Sequence, residues 1–417
     1  MSPGGGPSAR EPDLAVNDAR ERMLAEAVPL EPEEIPLDDA LGRVTAEPVT
    51  ARADFPGFDN SAMDGFAVRA GDLCDASPTE PVDLTVEGES RAGSPWPGIL
   101  GPGQAIGIST GAMVPEGADA ILRVEDVGVS AGGIAARQEL PAGHDIRRRA
   151  EAARSGELLI ERGTRLGPVE LGMLAIAGYD HVSCYRRPRV ALLTSGDELV
   201  EPGTLLGPGQ IWNSNSRVIS ALTQGAGGDV VRTESVSDRR NSTAEALKRA
   251  FDSDIVIVCG GVSVGEHDHV RPALAALGVE QRFWGLALKP GRPVWYGTRG
   301  ETRVLGLPGN PVSTLVAFQL LADPMIRALG GEREGTVRPT GRLAEPIERL
   351  PARLQAVPCA VTVDHPDGNL LPLPQLGSYD FLSLRSARWF ALIPPGTGRV
   401  EAGEVVETMP LGANRMV

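Results

Sequence analysis

Apolar residues recur at near-helical spacing from Leu14 to Val28 among polar helix formers, which predicts a short opening helix. From about Val49 to Leu140 the pattern changes to short apolar runs, such as VDLTVEG and AIGIST, cut by Pro and Gly every several residues. That pattern predicts a compact β-rich unit. Glu151 to Asp180 returns to helical spacing around PVELGMLAIAGY, so the β-rich unit reads as an insertion between two parts of one helical region.

The strongest pattern begins at Arg189, where RVALLTSG is a buried-strand run followed by a polar turn and the helical SRVISALTQGAG. It recurs in DVVRTESVS with NSTAEALKRAF, where Ser242 and Glu245 have capping-box spacing. DIVIVCGG and RVLGLPGNP repeat it again, each followed by helical sequence. Such units predict a doubly wound parallel sheet covered on both faces, with ligands beyond the carboxyl ends of its strands. Those ends are TSGDEL, SVSD, GGVSVGEHD and LPGNP. After Gly331 the short runs AVTVD, WFALIPPG and GEVVETM predict a small, barrel-like β domain.

The fold class expected is therefore multidomain α/β plus β. Residues 1–13 form a disordered start, 14–48 and 147–186 a helical linker domain, 49–146 the inserted β-rich domain, 187–330 the α/β domain and 331–417 the C-terminal β domain.

Composition narrows the functional classes. The net charge of −15 and pI near 4.9 argue against a broad nucleic-acid or anionic-membrane surface, leaving room for a small anion in a local basic pocket. No window approaches the roughly 18 consecutive apolar residues of a membrane span. The start MSPGGGPSAREPD lacks the regions of a signal peptide, so the cytoplasm is the expected location. Cys74, Cys184, Cys259 and Cys359 lack the close pairing of a zinc site or disulfide framework and read as reduced and structural.

The candidate chemistry gathers at the predicted strand ends. Gly260, Gly261 and Gly265 would let backbone N–H groups approach a phosphate without Cβ interference, although a glycine-rich turn after a strand is also a common structural device. Asp197, Glu198, Asp238, Glu266 and Asp268 fall toward the same edge, and carboxylates beside a phosphate imply Mg²⁺. Taken singly, each also fits a helix cap. LKPGRP presents Lys289 and Arg292 from a rigid turn suited to an oxyanion or, equally, to a plain basic surface turn. LPGNPVS starts a helix whose N-terminus could hold an anion, and PGFDNSAMDGFAV holds Asp64 in a polar cluster where Asx turns account for Asp59 and Asn60. Arg147, Arg148 and Arg149 form either part of a basic pocket or a solvated run. His267 and His269 are too few for a metal cage.

Taken in order, PGFDNSAMDGFAV, IGISTGAMVPEGADA, VALLTSGDEL, GGVSVGEHDHV, LALKPGRP and LPGNPVS resemble the signature set of the molybdopterin molybdenumtransferases, the family that includes the C-terminal domain of gephyrin. The resemblance implies Mg²⁺-assisted release of AMP from adenylylated molybdopterin and insertion of molybdate at the dithiolene sulfurs. It implies a catalytic neighbourhood of Asp64, Thr110, Glu198, Asp238 and Asp268, with Asp64, Glu198 and Asp268 as metal ligands. Substrate or oxyanion binding falls by resemblance to Arg147, Ser195, Gly260, Gly261, Ser263, Gly265, Lys289, Arg292, Pro308, Asn310 and Ser313. A homodimer is also implied, in which Asp64 and Thr110 face a site completed across the interface. Molybdopterin adenylyltransferase and molybdoenzyme-maturation proteins are the expected protein partners.

Two departures from the family pattern stand out. Ala150, Glu151 and Ala152 replace a Gly-Glu-Asp run, and Pro358 stands where an arginine is expected. Both favour an alternative, a catalytically weak paralogue that binds molybdopterin or another anion or serves as a scaffold. A third possibility, adenylylation of pterin by the α/β domain, is opposed by the extension of the resemblance into the flanking regions.

Overall fold

The computed structural model describes residues 13–130, 132–237, 239–261, 269–333, 339–362 and 369–411. The run RVALLTS forms the strand Arg189–Ser195, second in a six-stranded sheet. In spatial order the strands are Asp229–Val236, Arg189–Ser195, Ile255–Cys259, Thr302–Leu307, Trp295–Arg299 and Glu280–Trp284. Side chains alternate between two buried faces, as a pleated strand requires. Val190, Leu192, Ile255 and Ile257 pack with Ile219 and the Val312–Leu329 helical stretch, whereas Ala191, Leu193, Val256 and Val258 pack with Ala246, Leu247, Val270 and Leu274. The sheet is thus covered on both faces.

The first four strands pair in parallel, but Trp295–Arg299 runs antiparallel to both of its neighbours. Only Gly300 and Glu301 separate it from Thr302–Leu307, and a link that short makes a hairpin, since a parallel return needs a crossover of a dozen or more residues. The parallel sheet predicted above therefore carries an antiparallel edge.

The helix after LPGNP runs from Pro311 through Leu329 and passes a π turn at Phe318–Ala322, just before Pro324, which has no N–H to donate to the preceding turn. It is the one described helix long and apolar enough to cross a membrane, and 72% of its apolar window is buried inside the protein. It is the central core helix of the sheet domain.

Three expectations about helices change. The opening helix, Val16–Ala25, buries Val16, Ala19 and Met23 in the core of the six-stranded sheet, not in a separate linker. The predicted helical linker contains one described α-helix between residues 147 and 186, Pro168–Ile176, and otherwise pairs outgoing with returning chain as short antiparallel strands. Pro32–Pro36 pairs with His181–Tyr185, Val49–Thr50 with Leu158–Ile160, and Asn60–Ser61 with Ile146–Arg147. The capping box at Ser242 and Glu245 does not form. The helix begins at Arg240, so the Ser242 hydroxyl donates to the Arg239 carbonyl at 2.8 Å while Glu245 pairs with Lys248.

Between those strand pairs, a six-stranded sheet formed by residues 65–136 carries its own core around Leu73, Ala105, Ile121 and Leu122. At the other end Leu354–Thr362, Asn369–Pro372, Thr340–Leu343, Val405–Pro410 and Trp389–Ile393 close into a barrel, the last pairing back with the first. One further pairing positions the site. Leu288–Lys289 of the sheet domain adds in parallel to Leu354–Gln355 of the barrel, and the Leu354 N–H donates to the Ala287 carbonyl at 2.9 Å.

Candidate active site

Glycines line the carboxyl ends of the parallel strands because nothing larger fits. Gly260 has φ +89°, and a Cβ there would fall 2.6 Å from the Ser195 carbonyl oxygen. Gly261 has φ +64°, and its Cβ would fall 2.7 Å from Val270 Cγ2. Glu198 is exposed, with its carboxylate over Gly196. Across the crevice, the Asn215 amide donates to the Gly309 carbonyl at 2.7 Å and to Cys259 Sγ at 3.2 Å. Its Oδ1 is buried with no hydrogen-bond partner. Burial pushes the Cys259 thiol up to about 11 despite hydrogen bonds from Thr314 and Asn215, so it is inert packing, as expected. Asn215 was not singled out from sequence, because WNSNS reads as a helix start, and Asn213 does cap that helix by accepting from Ser216 N.

Pro308 and Gly309 also wall a cleft of about 830 Å³ between the sheet domain and the barrel. Lys289, Arg292, Asn310 and Ser313 line it from one side, and Arg353, Gln355, Pro358, Gln375 and Ser378 from the other. No aspartate or glutamate is among its described lining residues. Five of the residues predicted to bind substrate or oxyanion therefore share one cavity, while Ser195, Gly260 and Gly261 lie at the adjoining strand ends. Arg292 is different: its guanidinium is held by Asp13 at 2.7 and 2.9 Å and stacks toward Trp284. Its charge is matched by Asp13 rather than left for a ligand, and Asp13 is tied down rather than disordered. The helix start at Pro311 is partly closed too, since the Val312 N–H donates to the Ser378 carbonyl and Asn310 to the Ser378 hydroxyl.

Asp64 and Thr110 meet in the β-rich unit. The Thr110 N–H donates to Asp64 Oδ1 at 2.7 Å and its hydroxyl donates to the same oxygen at 3.0 Å. The backbone bond first, then the hydroxyl, hold this exposed carboxyl below its ordinary range despite a small opposing desolvation. Asp59 anchors the arginine run, accepting from Arg148 Nη1 and Arg149 N at 2.7 Å each, which leaves Arg147 exposed and without an ion pair among the described residues. The hydrogen bonds of Asp64 stay inside the β-rich unit. Asp238, Ser263, Gly265 and Asp268, with Glu266 and His267, lie outside the described residues.

Three known sequence families cover most of the chain. Residues 14–178 match the MoeA N-terminal region (domain I and II), 191–328 the probable molybdopterin binding domain, and 340–411 the MoeA C-terminal region (domain IV). The molybdopterin molybdenumtransferase of Synechococcus elongatus is 35% identical over 407 residues, covering 95% of this chain and 100% of that protein. The chain belongs to the molybdopterin molybdenumtransferase family. The Bacillus subtilis family member is 33% identical over 407 residues, covering 95% and 94%. The crystal structure of the molybdopterin biosynthesis moeA protein from Pyrococcus horikoshii OT3 superposes with a TM-score of 0.82 at 26% identity, over 96% of this chain and 100% of that one. Membership makes the protein a transferase of molybdenum cofactor biosynthesis.

Against the family pattern, both departures now have positions. Ala150 takes φ +60°, the left-handed conformation that a glycine would adopt without strain, and its N–H donates to the Pro56 carbonyl at 2.9 Å. The left-handed region costs an L-residue roughly 1–2 kcal/mol, partly offset by the larger unfolded-state freedom of glycine. Ala150→Gly is therefore expected to stabilise the protein by about 0.5–1 kcal/mol, seen as a higher thermal midpoint. An unchanged or lower midpoint would mean that the turn relaxes around Ala150. Pro358 sits on the cleft wall in a strand paired with Phe390, and its carbonyl accepts from Leu373 N at 2.8 Å.

Proposed function

We propose that this chain inserts molybdate into adenylylated molybdopterin and releases AMP in a Mg²⁺-dependent step. The observation that carries the reading is the cleft, free of carboxylates among its described lining residues, in which Lys289 and Arg353 meet Asn310 and Ser313 beside the glycine-lined strand ends. In a protein of net charge −15, such a cavity is suited to a doubly charged oxyanion and a pterin phosphate. Hydrolysis of the phosphoric anhydride adds water across the P–O–P link, leaving AMP and the pterin phosphate. The cations and N–H donors then hold the separated anions while the oxyanion reaches the dithiolene.

The fit to Mg²⁺ rests on few ligands. Among the described residues no three His, Cys, Asp or Glu side chains converge. Mg²⁺ usually keeps several waters and needs only one or two carboxylates plus phosphate oxygens. Asp64 meets that need, because both Thr110 bonds fall on Oδ1 and leave Oδ2 open; Glu198, exposed at the strand ends, would be the second ligand, and the family resemblance adds Asp268, which lies outside the described residues. When bound, the ion supplies charge neutralisation at the anhydride oxygens. In keeping with the family resemblance, the reading includes a homodimer in which Asp64 and Thr110 of the β-rich unit face the partner's sheet.

The test is AMP release from adenylylated molybdopterin by the purified chain, with molybdate and Mg²⁺ each present or omitted. Release that depends on both is the expected result. A folded protein that binds the nucleotide yet releases nothing would favour the weak paralogue, for which Ala152 and Pro358, the latter on the cleft wall, are the supporting features.

A further inference from the structure

Two asparagines at the start of the helix Ser214–Gly225 between them reach the carboxyl ends of all four parallel strands. Asn213 donates to Thr194 Oγ1 at 2.8 Å and to Ser235 Oγ at 3.1 Å, and its Oδ1 accepts from the Ser216 N–H. It is buried, with both ends of its amide bonded. Asn215 serves the other two strands. It donates to Cys259 Sγ, at the end of Ile255–Cys259, and to the Gly309 carbonyl, two residues past Thr302–Leu307. Its Oδ1 is buried and bonds nothing. An asparagine kept only to close a helix start satisfies both ends of its amide, as Asn213 does, whereas Asn215 is held for its two donors.

What those donors hold is the loop between the glycine-lined strand end and the cleft. A trans peptide is planar, with its carbonyl and the N–H that follows pointing opposite ways. The Gly309 carbonyl is drawn to Asn215, and the Pro308 carbonyl accepts from the Thr314 hydroxyl at 2.5 Å and the Cys259 thiol at 3.2 Å. Both carbonyls are thereby turned inward. The N–H groups of Gly309 and Asn310 are turned the other way, and neither has an acceptor among the described residues. A Cβ on Gly309 would lie 3.8 Å from Gly260 Cα, so this backbone packs on the strand-end glycine while Pro308, Gly309 and Asn310 also wall the cleft. Among the described residues, Asn215 is the only side chain that hydrogen-bonds Gly309.

Resting on the proposed function, we propose that Asn215 is a positioning residue for the transfer. By fixing the Gly309 carbonyl it sets the Pro308–Asn310 backbone so that the nucleotide at the strand ends and the oxyanion in the cleft are aligned. Its action is on that backbone and not on either ligand. Gly309 is exposed, so without the Asn215 donors its peptide can turn to water. Each ligand then still binds, and their mutual alignment is lost.

The test uses the purified full chain and the near-isosteric Asn215→Leu, with single-turnover AMP release, titration calorimetry of adenylylated molybdopterin and of molybdate, and thermal melting. Asn215→Leu is expected to lower kcat roughly a hundredfold while both dissociation constants stay within about threefold of the parent and the melting temperature is unchanged. Asn215→Gln, which keeps an amide donor on a longer stem, is expected to recover part of that loss. A parent-like kcat in Asn215→Leu overturns the inference and leaves the proposed function standing. So does a loss accompanied by weaker binding of both ligands and a lower melting temperature, which reports a structural asparagine, or a Gln variant no better than Leu. A parent chain that releases no AMP overturns the proposed function and this inference with it.

Discussion

Asp64→Asn is expected to lower Mg²⁺-dependent AMP release by roughly a thousandfold while leaving the fold and nucleotide binding intact. The fold survives because an amide oxygen still accepts from the Thr110 N–H and hydroxyl, the two bonds that hold the side chain in place. What is lost is the negative charge at Oδ2. The Thr110 bonds hold the Asp64 carboxyl below its ordinary value of 3.8, so it is ionised throughout the neutral range, and its protonation contributes no acid limb to the rate above that value. Thr110→Val removes the hydroxyl bond but keeps the backbone bond and is expected to have a much smaller effect. Single-turnover AMP release over a Mg²⁺ series measures both variants. A rate for Asp64→Asn equal to that of the parent would remove Asp64 from the mechanism.

The largest expected effect on stability lies far from the cleft. Glu332 accepts from Arg165 Nη2 at 2.7 Å and Arg327 Nη1 at 2.8 Å, and Arg327 is also paired with Asp323 at 2.8 Å. Arg165 donates further to the Gly42 and Ala226 carbonyls, so this one carboxylate joins the linker strands to the end of the core helix. Its side chain is only 16% exposed. Glu332→Ala leaves guanidinium groups without their shared carboxylate and is expected to cost about 3 kcal/mol, read as a lower denaturation midpoint. A loss within about 0.5 kcal/mol, the usual effect of an ordinary surface substitution, would show that water replaces the carboxylate freely.

The pH dependence of that difference has a definite sign. Burial raises the Glu332 carboxyl, but the Arg165 hydrogen bond and the charges of Arg327 and Arg165 outweigh it, and the group ends below its ordinary 4.5. A carboxyl depressed in the folded state contributes stability that is fully present above the unfolded value and is lost as pH falls through the folded one. The gap between parent and Glu332→Ala is therefore expected to hold near neutrality and to narrow in acid below about pH 4.5.

The sequence by itself determined what depends on local chemistry. Runs such as RVALLTS and IVIVC had to be strands buried on two faces, because no side of them tolerates water. Gly260 and Gly261 marked a strand end that only glycine can occupy, and Pro311 marked the first turn of the core helix. The residues quoted for the oxyanion turn and the LPGNP loop were legible for the same reason, since proline and glycine act on the backbone of their own segment. Only the tertiary structure decided which of these charges remain available. Asp13 neutralises Arg292 across 279 residues of chain, and a short parallel pairing brings Arg353 of the barrel to the cleft that Lys289 opens. Periodicity reports that a face is buried but not what buries it. The opening helix was therefore visible as a helix, while its docking on the six-stranded sheet was not, because packing partners and ion pairs are chosen by shape and charge in space, where separation along the chain carries no information.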